Sequence, residues 1–153
     1  MSQTESVKDA VLYCFDGSEG AKRALERTAK LFPNHRAVVV NVWQSIWNTP
    51  MAPTLAGLGA ETVEKVDQAA ARRSLEVAEE GARLIPGAEA RSLKESGRVW
   101  RTVLDVADSV NASVIVVGSR GLGALKSTLL GSVSQGLVNH SHRAVMVVPP
   151  EDR

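Results

Sequence analysis

Between Val116 and Ser134 the chain reads Val-Val-Gly-Ser-Arg-Gly-Leu-Gly-Ala-Leu-Lys-Ser-Thr-Leu-Leu-Gly-Ser-Val-Ser. An apolar run ending at Gly118, more glycines, and a stretch that opens on Gly131-Ser132 together offer what a phosphate group needs. Glycines let backbone N–H groups come close, and the start of a helix presents unpaired N–H donors at its positive dipole end. The hydroxyls of Ser132 and Ser134 are further candidate donors. The same residues also read as tight turns with Ser132 as a helix cap, and composition alone leaves both readings open.

Two better-known phosphate motifs fail here. A P-loop needs Gly before its Lys-Ser/Thr, and Leu125 stands before Lys126-Ser127. The dinucleotide fingerprint starts at Gly121-Leu122-Gly123 but meets Lys126 at its third glycine position, and it belongs after the first strand. Arg120 and Lys126 add positive charge nearby and read equally as a solvated face. Elsewhere, Asp16 and Ser18 precede an apolar stripe, with Ser18 the better cap. Cys14 reads as a small buried apolar residue. His140 and His142 are two apart near a helix end with no carboxylate or thiol cluster, so no metal site is expected. No catalytic residues are assigned, because neither a nucleophile with its base nor a carboxylate pair is recoverable from the spacing. Any turnover of a bound phosphate compound is expected to be slow, resting on positioning and cationic stabilisation alone.

The elements that must position these residues follow from hydrophobic period. Dense apolar runs at Ala10 to Phe15, Ala37 to Trp43, Ala88 to Leu93, Ser113 to Val117 and Ala144 to Val148 read as five strands. Val38-Val39-Val40 and Val114 to Val117 are continuous, as in parallel strands covered on both faces, whereas Ala88 to Leu93 alternates and carries charge, as at a sheet edge. Four stretches at helical spacing lie between. Ala21, Ala24, Leu25, Thr28 and Leu31 mark the first, and Ala71, Leu75, Ala78, Ala82 and Ile85 the second, over about Glu61 to Ile85. Val99, Val103, Val106 and Val110 mark the third, and Val133 with Leu137 the fourth. The alternation predicts an α/β fold with a parallel five-stranded sheet and helices on both sides. Gln44 to Ala60 is too long and too rich in Pro and Gly for an ordinary connection. Its Ile46, Trp47, Met51, Leu55 and Leu58 point to a lid or interface loop.

At 153 residues the chain is expected to be one domain over 1–153, large enough for a core without disulfides, which the single Cys14 could not supply. Lys and Arg number 18 against 17 Asp and Glu, for a net charge of +1, so no nucleic-acid partner is expected. No apolar run approaches the ~20 residues that span a bilayer, and the polar start lacks a secretory leader. No membrane association is therefore expected, and the chain reads as cytoplasmic.

The glycine segment fits Gly-x2-Gly-x9-Gly-Ser, met by Gly118, Gly121, Gly131 and Ser132. With the opening Leu12-Tyr-Cys-Phe-Asp-Gly-Ser and the closing Ala144-Val-Met-Val-Val-Pro, the chain resembles the universal stress protein family over nearly its whole length, and specifically the ATP-binding branch. The resemblance implies an open parallel sheet of order 3-2-1-4-5, the adenine nucleotide alpha hydrolase-like fold, and a homodimer through the last strand. That order places the topological switch between strands one and four, so Asp16 and Gly118 would face each other across one crevice. By resemblance Asp16 makes the ribose and metal-proximal contacts, and the Val42 backbone meets the adenine edge. Gly118 and Gly121 pass close to ribose and phosphates, while Gly131, Ser132 and Val133 hold the phosphates. Trp43 and Trp47 flank the adenine side, with core and loop packing as competing roles. The implied ligand is ATP with Mg²⁺, in a nucleotide-dependent stress-response or signalling module. The alternatives are a non-catalytic dimeric interaction module and a binder of AMP or cyclic AMP.

Overall fold

Each of the five apolar runs forms a strand within one residue of its expected ends: β1 (Ala10–Cys14), β2 (Arg36–Trp43), β3 (Glu89–Lys94), β4 (Ala112–Gly118) and β5 (Ala144–Val148). Between them lie α1 (Glu19–Ala29), α2 (Ala60–Ala82), α3 (Val99–Ser109) and α4 (Ser132–His140). The computed structural model describes residues 9–121 and 130–150. All strand pairs are parallel and the order is β3-β2-β1-β4-β5. Each connection must therefore cross over the sheet, and the helices cover both of its faces.

Strand alternation divides the core in two. Leu12, Val38, Val40 and Ile115 face Val103, Val106 and Ala107 of α3 and Leu137 of α4. Val11, Tyr13, Val39 and Val116 face Ala21, Ala24 and Leu25 of α1, with Val77 and Ala82 of α2 against them. The continuous valine runs are explained by this double cover, since both faces of β2 and β4 are buried. Ser18 caps α1 by accepting the Ala21 N–H at 3.2 Å.

Two helix expectations are corrected. α1 ends at Ala29, which leaves Leu31 beyond its C-cap and 61% exposed. α2 ends at Ala82 rather than Ile85, and it buries Val63, Ser74, Ala78 and Gly81, leaving Leu75 41% exposed. Small residues form this seam because α2 lies close on the sheet: a side-chain carbon at Gly81 would meet the Phe15 ring at 2.7 Å.

The segment between β2 and α2 holds a 3₁₀ turn at Ile46–Asn48 followed by hydrogen-bonded turns. Its start is tied to α2 by Asp67, which accepts from Ser45 Oγ at 2.6 Å and the Ile46 N–H at 3.0 Å, with Lys94 Nζ at 3.4 Å. Burial pushes the Asp67 carboxyl up, but those donors together outweigh it and hold the group below its usual range.

Candidate functional site

In an open α/β sheet, ligands sit beyond the carboxyl ends of the strands, where neighbouring crossovers diverge. Here that point lies between β1 and β4, and a cavity of about 300 Å³ opens there. Its wall is built from the ends of three adjacent strands, from α3 and from the start of α4. Asp16, Val42, Gly118, Gly121, Gly131, Ser132 and Val133 all line it. Residues that the sequence reading did not place there also line it. Val40, Val99, Val103 and Val117 give an apolar wall, and Cys14 and Asn41 stand at the strand ends; Arg120, read from the sequence as a nearby cation or a solvated face, also lines it.

Backbone hydrogen bonds fix the polar end. The Ser119 N–H donates to the Val148 carbonyl at 2.9 Å, which ties the chain leaving β4 to the end of β5. The Ser119 carbonyl accepts the Gly131 N–H at 2.6 Å and the Ser134 hydroxyl at 3.0 Å, so the returning chain is stitched to the departing one. Ser134 is buried in this seam. It serves the loop's own closure, and the Gly131 amide is likewise held inside the loop. The first backbone bond of α4 runs from the Gln135 N–H to the Gly131 carbonyl, leaving the amides of Ser132 and Val133 with no partner inside the helix. Lys126 lies outside the described residues.

The Asp16 carboxylate completes the opposite lip. Its Oδ1 accepts the Ser18 N–H at 2.9 Å, while Ser18 itself caps α1, so Asp16 is not the cap. A Cβ on Gly121 would fall 2.8 Å from Asp16 Oδ2. A side chain at this position would have to push the carboxylate aside, and the two lips meet at that point.

Cys14 is half-buried, and burial followed by the nearby Asp16 charge pushes its thiol up to about 12. It is not a nucleophile at neutral pH. Neither Trp43 nor Trp47 lines the cavity. Lys94 Nζ sits 5.4 Å from the centre of the Trp43 ring, and Trp47 is 50% exposed. His140 stacks on Trp100 at 4.2 Å, with its Nδ1 2.9 Å from the Gly136 carbonyl.

The model of the universal stress protein family matches residues 9–149. The chain belongs to the universal stress protein family. A universal stress protein of Thermus aquaticus is 31% identical over 140 residues, covering 90% of this chain and 96% of the relative. Among solved structures, the MJ0577 protein superposes with a TM-score of 0.69 at 21% identity, covering 96% of this chain and 99% of that one. A universal stress protein in complex with cAMP gives 0.56 at 22% identity, covering 94% and 98%. The Archaeoglobus fulgidus universal stress protein in complex with dAMP gives 0.53 at 20%, covering 92% and 96%. These likenesses carry the fold, and the sheet of this universal stress protein runs in the order 3-2-1-4-5.

Proposed function

We propose that this universal stress protein is a nucleotide-binding module of stress response or signalling, taking ATP with Mg²⁺ in the cavity between β1 and β4. The observation that carries the reading is the gathering of Asp16 and Val42 with the four glycine-motif residues and Val133 around one cavity. The adenine would lie along the apolar wall beside Val42, the ribose between Asp16 and Gly118, and the phosphates at the amides of Ser132 and Val133. Among the described residues lining the cavity, Asp16 is the one carboxylate. That suits Mg²⁺, which is commonly held by one or two carboxylates together with substrate phosphates and water. Among the same described residues Asp16 and Arg120 are the charged side chains, a set that supports holding a nucleotide rather than turning it over rapidly.

A second reading, a monophosphate such as AMP or cyclic AMP, is favoured by the cAMP and dAMP complexes of the two neighbours. The third, a dimeric interaction module, draws on β5, whose outer edge is open in the sheet order. In either nucleotide reading β5 would pair a second copy, and the segment 44–60 would respond to occupancy.

The test is thermal unfolding of ligand-free protein with ATP and Mg²⁺, ADP, AMP and cyclic AMP. A ligand at 100 times its Kd stabilises by about 2.7 kcal/mol. At this size each kcal/mol moves the midpoint by roughly 2–4 °C. A shift of several degrees with ATP, abolished in Gly131→Val, is expected. No shift with any nucleotide would leave the interaction module as the function.

A further inference from the structure

The residue that ends the regular pairing of β1 is held from both sides. The Phe15 N–H donates to the Val40 carbonyl at 2.9 Å, and the Phe15 carbonyl accepts Asn41 Nδ2 at 2.7 Å. A carbonyl only accepts, so the amide of Asn41 must turn its nitrogen to Phe15 and its oxygen away. That oxygen accepts the Ser74 hydroxyl at 2.6 Å, and Ser74 Oγ accepts in turn from Ser92 Oγ at 2.8 Å. Every donor points the same way, from β3 through α2 and β2 to the end of β1. Ser74 is buried on α2 and does not line the cavity. Asn41 does line it, and Asp16 follows Phe15 directly.

We infer that Asn41 is a positioning residue of the cavity, acting through the Phe15 carbonyl to set where Asp16 stands, and that Ser74 fixes the orientation in which Asn41 can do so. The inference rests on the nucleotide reading above and deepens it. It assigns control of the nucleoside end to a hydrogen-bonded chain that starts outside the cavity. The phosphate end, built from the loop at Ser119 and Gly131, is independent of this chain.

The experiment measures Kd for ATP without Mg²⁺ and for adenosine by calorimetry on the wild type, Ser74→Ala and Asn41→Asp, with the midpoint of each ligand-free protein. Asn41→Asp keeps the shape and removes the donor to Phe15; Ser74→Ala removes the chain's middle without touching ligand. A hydrogen bond contributes on the order of 1 kcal/mol net, so affinity should fall about threefold to tenfold in both variants. In Ser74→Ala, which adds no charge, the ratio of ATP to adenosine affinity should stay at the wild-type value. In Ser74→Ala the amide resonance of Ser18, which reports its bond to Asp16, should move. Wild-type Kd values in Ser74→Ala overturn the inference even if its midpoint falls, as does a loss confined to ATP. Failure of the wild type to bind either compound strikes the nucleotide reading itself and is distinguishable from both.

Discussion

Asp16 Oδ2 stands 2.8 Å from the place a Cβ on Gly121 would occupy, although the two residues are more than a hundred positions apart. This contact joins the end of β1 to the loop after β4 and makes one residue the gauge of the cavity's width. Gly121→Ala should push the carboxylate aside and weaken ATP binding by about tenfold, a change of ~1.4 kcal/mol. Gly121 is exposed, so the ligand-free midpoint should barely move. Calorimetry beside a thermal scan checks both parts, and unchanged affinity would remove Asp16 from the site.

A second glycine carries stability instead. Gly136 is buried in α4, where an added Cβ would overlap the indole of Trp100 on α3. Overpacking of this kind costs ~1–3 kcal/mol. Gly136→Ala should lower the midpoint by several degrees at about 2–4 °C per kcal/mol. Adding Trp100→Leu should restore part of the loss in a thermal scan.

Asp67 predicts an acid-sensitive segment. Its carboxyl is held below the usual range, so its contribution is fully present above the unfolded-state value of ~3.9 and fades as the pH falls through the folded value. Below about pH 4 the tie from Ser45 and Ile46 to α2 should release, and Trp47 beside it should report the change in fluorescence. Asp67→Asn should show the released signal already at neutral pH.

Cys14 should be slow to react. With the thiol pushed up to about 12, on the order of one molecule in ten thousand is ionised at pH 8. Reaction with a disulfide reagent at that pH should be at least a hundredfold slower in the native protein than in guanidinium. Asp16→Asn should speed the native reaction, because the carboxylate charge is part of the cause.

Hydrophobic period made the strands legible because four of the five are dense in Val, Ile or Leu and both sheet faces are covered. Around α2 it placed Ala78, Ala82 and Ile85 on the packed face, but it also put Leu75 there, which is exposed, and it missed Ser74 and Gly81 in the seam. A stripe of small residues has almost no hydrophobic signal, since it is selected for how closely the helix approaches. The glycine motif and Asp16 marked both lips of the cavity. Asn41 stayed hidden, because an Asn inside an apolar strand carries no period and a hydroxyl such as that of Ser74 adds nothing to an apolar stripe. Ser134 looked like a ligand donor, and only the stitched backbone at Ser119 showed where its hydroxyl goes.

The strand order has a bearing on how the chain is made. Synthesis yields β1, β2 and β3 first, and these assemble outward from β1 in one direction only. Until residue 118 has left the ribosome, the other side of β1 has no neighbour, and Ala10, Val11, Leu12 and Tyr13, all nearly inaccessible in the finished protein, form an open apolar border. Such borders recruit other chains. The nascent protein is thus most vulnerable to aggregation between the emergence of residue 94 and that of residue 118 from the ribosome, and a pause in that interval should lower its soluble yield more than a pause after residue 118 is out.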